Sequence, residues 1–237
     1  MLTLGIIGAA HFTAKQAYPP QVVDPYWSSV QILVECEGSD GSTTFTDSSS
    51  FGRTITAFGN AQIEGNKLLL DGGGDGIRTP DNEGYNLGAG PFTVEMFITP
   101  DSLSGIRFHI GQWQHTGNLG WIVYQNEAAL AFNASVDGFA NTVVMSGGTL
   151  VADVEQHICV DFDGTKYRAY INGTMVASST SVFTFNNSGN NLSIGTNSDI
   201  NGFFFDGHMD NIRLTKGVAR YASDSGFTVP TVPFPTS

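Results

Sequence analysis

The sequence predicts an all-β protein, two antiparallel sheets packed face to face as a jelly-roll sandwich, preceded by an extended N-terminal arm. Three observations carry this expectation. The stretch 157–178 holds three short runs rich in β-branched and aromatic residues, divided by Asp163-Gly164 and Asn172-Gly173. Both dipeptides tolerate positive φ, so each reads as a two-residue hairpin turn and the stretch as a three-stranded meander. About a dozen comparable runs follow one another along the chain, and no convincing helix of ten residues interrupts them. Composition agrees: 29 glycines and only 14% charged residues suit short strands joined by tight turns, and 41% hydrophobic residues with 17 Phe exclude a disordered chain. A chain of 237 residues can bury one large core as a single domain.

Each element has its own argument. Residues 1–27 are apolar, then Pro-rich (Tyr18-Pro19-Pro20, Asp24-Pro25-Tyr26-Trp27), text that is extended rather than sheet-forming. This segment is either a solvated tail or an arm that docks on a partner. The arm is the reading favoured, because Ile6, Ile7, Phe12, Tyr26 and Trp27 would otherwise face water. The apolar opening Leu2–Ala10 has no Lys or Arg before it, so a cleaved secretion leader is not expected. No apolar run reaches the ~20 residues a membrane span needs. Val30–Glu37 reads as the first core strand, and Thr54–Phe58 and Lys67–Leu70 as the next. Phe92–Ile98 alternates cleanly; Phe108–Ile110, Gly120–Tyr124 and Leu130–Phe132 follow. In the meander, Ile158, Val160 and Phe162 share one face and His157, Cys159 and Asp161 the other. Asn191–Gly195 and His208–Leu214 complete the core, Val218–Tyr221 reads as one helical turn, and residues 223–237 as an extended Pro-rich tail along the surface of a domain spanning 28–222.

Charge restricts the partners. A net charge of −12 argues against nucleic acid, which needs clustered Lys and Arg, and against insertion at an anionic membrane. Neutral sugars, divalent cations and proteins remain. The glycine-rich Asp71–Gly76 lacks the following helix and Lys of a phosphate loop and reads as a turn. Cys36 and Cys159 both fall in strands; buried thiols are favoured over a bridge, which spacing alone leaves open.

Catalysis has little support. The nearest carboxylate groupings, Glu35-Cys36-Glu37 and Asp161-Phe162-Asp163, lack the third partner a glycosidase strand would carry. The histidines (His11, His109, His115, His157, His208) form no motif, and Cys159 has no neighbouring base. Sugar binding requires an aromatic platform with polar groups at its rim. Trp113, His115, Asn118 and Phe203 are the candidates, with Trp113 expected to be exposed. Trp121 with Tyr124 is a further candidate pair, with Asn126 as a second amide donor, although a strand over 120–124 must turn one of the two rings into the core. The sequons at Asn133, Asn172, Asn186 and Asn191 are what an Asn- and Ser-rich chain contains by chance.

Five stretches occurring in order, LLLDGGGDGIRTPD, GPFTVEMFITP, HICVDFDGTKYRAYINGTMVAS, NLSIGTN and FFFDGHMDNIRLTKGVARY, resemble the laminin-G-like jelly rolls of the concanavalin A-like lectin/glucanase superfamily over roughly residues 30–222. The flanks DPYWSSVQILVECEGSDGSTTFTDSS and RLTKGVARYASDSGFTVPTVPFPTS resemble a subgroup carried on tailed-bacteriophage virions. The resemblance implies a non-catalytic virion surface protein, a capsid decoration or a head or tail fibre. Its arm would attach to the major capsid or tail protein and to sister subunits of a homo-oligomer. The alternative is a carbohydrate-binding adhesin, extracellular, engaging a cell-surface glycan. The resemblance also implies a possible structural calcium, with Asp47 and Asp210 at ligand positions and Asp40 and Glu37 nearby.

Overall fold

The computed structural model describes residues 23–114, 117–230 and 233–237. In chain order its strands are β1 (Val30–Val34), β2 (Thr56–Phe58), β3 (Gln62–Glu64), β4 (Lys67–Asp71), β5 (Gly76–Thr79), β6 (Phe92–Pro100), β7 (Ile106–Trp113), β8 (Leu119–Asn126), β9 (Ala129–Ala134), β10 (Thr142–Gly147), β11 (Gln156–Phe162), β12 (Tyr167–Ile171), β13 (Thr174–Ser179), β14 (Leu192–Ile194) and β15 (Asp206–Lys216). Helical structure among the described residues is confined to two 3-10 turns, Trp27–Ser29 and Glu83–Tyr85. One sheet runs β13-β12-β11-β6-β15-β4-β3, with β1 also paired to β15; the other runs β10-β9-β8-β7-β14-β5-β2. All pairings are antiparallel. The expected two-sheet jelly-roll sandwich is what the chain forms.

Alternation builds the core. Phe92, Val94, Met96 and Ile98 of β6 and Ile158, Val160 and Phe162 of β11 point between the sheets. There Phe92 meets Phe132 at 5.7 Å and Phe162 at 5.9 Å, and Phe162 stacks on Tyr167 at 3.9 Å. Each such buried side chain contributes roughly 1.5–3 kcal/mol. In β15, Met209, Ile212 and Leu214 all reach this core although strict alternation would send Met209 and Ile212 to opposite faces. The register against β6 slips between Asp210 and Arg213, where Asn211 takes φ +47°. Asn tolerates that conformation, and the bulge restores the parity of the strand.

Several expectations need correction. Asn172-Gly173 does form the two-residue turn, with φ +50° and +73° and Ile171 opposite Thr174. Asp163-Gly164 does not: Phe162 pairs with Tyr167, leaving a four-residue loop. The cause is the Asp163 carboxylate, whose Oδ1 accepts from the amides of Thr165 (2.8 Å) and Lys166 (2.9 Å) and folds a wider turn. The first strand stops at Val34, before Cys36 at φ +57°. Val218–Tyr221 is not helical, because side chains take its polar groups. Thr93 Oγ1 bonds the Val218 carbonyl and the Arg220 amide, and Asp161 Oδ2 accepts from the Tyr221 and Ala222 amides. The tail does more than skirt the surface: Phe234 is buried against Val30 and Leu33.

Candidate functional site

The outer face of an antiparallel sheet normally meets water and is polar. On the β10-to-β2 sheet it is instead apolar and aromatic. β8 sends Trp121 and Val123 into the core and Ile122 and Tyr124 outward; β9 sends Leu130 and Phe132 in and Ala131 and Asn133 out. The β7–β8 ladder is irregular between Phe108 and Ile110. That irregularity lets Ile110 enter the core while Phe108, two residues earlier, joins the outer patch. Phe108, Trp113, Leu119, Ile122 and Tyr124 thus floor a cleft of about 320 Å³, rimmed by Ile106, Phe139, Asn133, Asn141 and Phe203.

Two loops supply the accessible rings. Phe203 stacks on Phe108 with centroids 4.5 Å apart and planes 12° off parallel, and its carbonyl accepts from the Phe108 amide at 2.8 Å. It holds φ +59° and Ile200, just before it, φ +52°. Positive φ is strained for bulky and β-branched residues, and such strain gathers at functional sites. Bonds of Asn197 to Asn201 and of Thr196 to the Gly202 carbonyl hold the loop. Phe139, 81% exposed, stands on a turn made by Asp137 Oδ1, which accepts from the amides of Phe139 and Ala140, both at 2.8 Å. The polar wall is a relay: Tyr124 OH donates to Asn133 Oδ1 (3.0 Å), and Asn133 Nδ2 donates to Asn141 Oδ1 (2.8 Å). Burial raises the Tyr124 pKa, so its hydroxyl stays a donor. The exposed Asn141 amide can still donate to a ligand. An aromatic floor with an amide at its lip suits the apolar face of a pyranose ring.

The sequence candidates distribute unevenly. Trp113 and Phe203, ninety residues apart in sequence, line this one cleft. Trp113 is not the exposed aromatic that was expected: β7 runs on through it and leaves it 6% exposed, packed in the cleft floor. Asn118 lies outside the lining, exposed and bonded to Asn190 at 3.0 Å. His115 falls outside the described residues, as do Ile6, Ile7 and Phe12. Of the other arm candidates, Trp27 packs against the Val30–Leu33–Phe234 cluster, and Tyr26 lies beneath the Arg220 guanidinium at 5.4 Å. Of the pair Trp121 and Tyr124, Trp121 is the one in the core and Tyr124 lines the cleft; Phe139 and Asn141 were not singled out as ligand groups. Nothing local in the sequence distinguishes those two. Asn133, a sequon residue, is buried with both ends of its amide engaged.

Asp47 and Asp210 each have partners of their own within the protein. Asp47 accepts from the amides of Leu33 (3.1 Å), Ser49 (3.0 Å) and Arg53 (2.8 Å), which organises a loop. Asp210 lies in β15, where burial lifts its pKa to about 6. Among the described residues no three His, Cys, Asp or Glu side chains gather at metal-binding distance. Cys36 and Cys159 are free, buried thiols.

Sequence reasoning missed a buried ionic cluster on the outer face of the other sheet. Glu95 Oε1 accepts from Arg213 Nε (3.0 Å) and Nη2 (2.7 Å); Oε2 accepts from Tyr221 OH (2.6 Å) and lies 3.2 Å from His157 Nε2. Asp24 bridges Arg213 at 3.2 Å and Arg220 at 2.8 Å. Burial by itself would raise the Glu95 pKa, but Arg213, the His157 hydrogen bond and Arg220 hold it down to about 2. The Glu95 oxygens are bonded to protein partners, and the cluster is roofed by the chain ends: Phe234 sits 3.9 Å beneath the Arg213 guanidinium, and the Asp24 amide bonds the Ser237 carbonyl at 2.7 Å. Its chemistry is that of a clasp.

Comparison with known proteins places these features in a family. A family model described as the concanavalin A-like lectin/glucanases superfamily, of the laminin-G type, matches residues 71–220. Solved structures of similar fold include the botulinum neurotoxin serotype D binding domain (11% identity, TM-score 0.62, covering 81% of this chain and 49% of that one). The binding domain of Paraclostridial Mosquitocidal Protein 1 is another (15% identity, TM-score 0.59, 81% and 49%). A third is the binding domain of botulinum neurotoxin DC in complex with SialylT (12% identity, TM-score 0.58, 80% and 48%). The chain spans about half the length of these structures, and at such identity the likeness is one of fold. No curated protein matches it in sequence.

Proposed function

The chain belongs to the concanavalin A-like lectin/glucanases superfamily, and from that footing we propose that it is a non-catalytic carbohydrate-binding module whose ligand lies in the aromatic cleft of the β10-to-β2 sheet. The single observation that carries this reading is the Phe108–Phe203 stack, held by a strained loop at the mouth of a cleft with the Asn141 amide on its rim. A sheet face that needed only solubility would be polar, and a contiguous apolar patch with a polar edge marks a binding surface. Binding domains recur among its structural neighbours, one of them in complex with SialylT, which is consistent with the reading at the level of fold.

The test is a glycan array probed with the full chain, with and without Ca²⁺, followed by Phe203→Ala and Asn141→Ala. Each substitution should weaken binding by about tenfold, a loss of ~1.4 kcal/mol. Absence of binding to any glycan under both conditions overturns the reading.

The same module displayed on a bacteriophage particle, attached through residues 1–27, is a compatible second reading. It rests on the sequence resemblance and on Asp24, whose two arginine partners fix where the preceding segment leaves the domain. A truncation that tests it has to stop at residue 22, since removing Asp24 would leave the buried Arg213 and Arg220 to share Glu95 alone. If that truncated chain still decorates particles, attachment lies elsewhere.

A further inference from the structure

A second groove, sharing no lining residue with the aromatic cleft, lies where β1, the turn at 51–53, the 3-10 turn at 83–85 and the end of β15 meet. It encloses about 510 Å³ and is lined by Phe51, Arg53 and Lys216, with the amides of Gln31 and Asn82 around Gly84. A Cβ at Gly84 would lie 2.2 Å from Gln31 Oε1 and 2.8 Å from Arg53 Nη2, so only glycine lets these polar atoms gather there.

The charges are unusual for this molecule. Against 22 acids, six of the nine described Lys and Arg residues are paired: Lys67, Arg107, Lys166, Arg168, Arg213 and Arg220 each reach a carboxylate. Among the described residues, Arg53, Arg78 and Lys216 form no ion pair, and two of these three share the groove. The Arg53 guanidinium is clamped between the rings of Phe51 (4.3 Å) and Tyr85 (4.9 Å), and Nη2 is pinned by Asn82 Oδ1 at 3.0 Å. Its Nη1 is enclosed and has no hydrogen-bond partner. Lys216 Nζ donates to the Glu83 carbonyl at 2.6 Å, which leaves ammonium donors over. The one acid of the lining, Glu83, accepts from Asn187 at 3.2 Å. Phe51, half exposed, offers the outer face of its ring above the guanidinium.

We propose that this groove is a separate subsite for an acidic saccharide, a sugar whose carboxylate is held by the Lys216 ammonium beside the unpaired Arg53 charge while its ring rests on Phe51. Uronic and sialic acids share that chemistry. An ammonium with donors to spare beside an unpaired, preoriented guanidinium suits a carboxylate, and the Asn82 amide nitrogen, its oxygen already taken by Arg53 and Gly84, supplies a hydroxyl partner. The inference rests on the carbohydrate-binding reading for the nature of the scaffold, and on the groove alone for its charge.

The experiment is calorimetric titration of the full chain with sialyllactose, with a glucuronate-containing disaccharide and with neutral lactose, at low and high salt. An acidic sugar should bind at least tenfold more tightly than lactose, with the preference eroded by salt; which of the two acids binds identifies the source. Lys216→Gln keeps a donor to the Glu83 carbonyl and should abolish the preference. Phe51→Ala should weaken the same ligand, and Phe203→Ala should leave the preference intact. Equal affinity for acidic and neutral sugars, or an acidic preference untouched by Lys216→Gln, overturns the subsite and spares the cleft. Failure of both acidic sugars to bind also overturns the subsite, whereas the cleft stands or falls on the glycan array.

Discussion

At the scale of single residues, the most consequential side chain is Glu95. Glu95→Gln keeps the shape but leaves Arg213 and Arg220 with only Asp24 to balance them in a buried setting. Breaking a buried pair from one side costs roughly 3–5 kcal/mol, so urea denaturation should show a loss of that order. Acid should act through the same residue. Its folded pKa, about 2, lies below the ordinary 4.5, so its stabilisation is complete above pH 4.5 and is lost as pH falls toward 2. Asp210 has the opposite sign: burial raises its pKa to about 6 from 3.8, so the folded state binds the extra proton and stability falls as pH rises through that interval. Asp75 and Asp161, also raised by burial, add to this slope. Urea midpoints measured from pH 3 to 8 should therefore peak on the acid side of neutrality, and Asp210→Asn should flatten the decline above the peak. A midpoint that rises steadily to pH 8 would contradict this assignment.

At the scale of elements, the strands were legible because each carries its own evidence: β-branched runs alternate, and turn residues punctuate them. Phe92–Ile98 and the strands on either side of Asn172-Gly173 lie where their patterns put them. What escaped was decided by partners distant in sequence. Asn211 reads as one more polar residue in a strand until β6 lies beside it and a bulge is needed. The Thr93 hydroxyl, about 125 residues away, keeps Val218–Tyr221 from turning into a helix. The tail shows the same dependence. Residues 223–237 have no periodicity, yet Phe227 stacks on Tyr221 at 3.5 Å, and the Phe234 amide donates to Asn211 Oδ1 at 2.8 Å. Phe234→Ala should cost about 3 kcal/mol, the lower end for a buried aromatic, because a surface strap relaxes more than a core. Hydrogen exchange should then quicken in β6 and β15 ahead of the opposite sheet. Uniform loss of protection would mean that the strap is no separate unit.

At the scale of the whole molecule, the candidate site was only half legible, for a reason that applies to both grooves. Trp113 and Phe203 could be named as aromatic candidates, but that they line one cleft depends on β7 pairing with β14, which leads into the 196–205 loop. Arg53 and Lys216, more than 160 residues apart, look like two scattered cations until the fold joins them. Charge distribution gives the last prediction. With a net charge of −12 and its basic residues mostly paired, the molecule carries a surplus of unbalanced surface acids that repel one another. Salt shortens the Debye length from about 30 Å at 0.01 M to about 8 Å at 0.15 M, which screens that repulsion, whereas the buried Glu95–Arg213–Asp24 cluster is screened far less. The melting temperature should therefore rise as NaCl is added over this range, and it should rise by a similar amount in Phe203→Ala, which leaves the charges in place. A melting temperature that falls with salt would mean that exposed pairs such as Lys166–Asp224 outweigh the repulsion, and the molecule would then be held together by its surface charges instead of in spite of them.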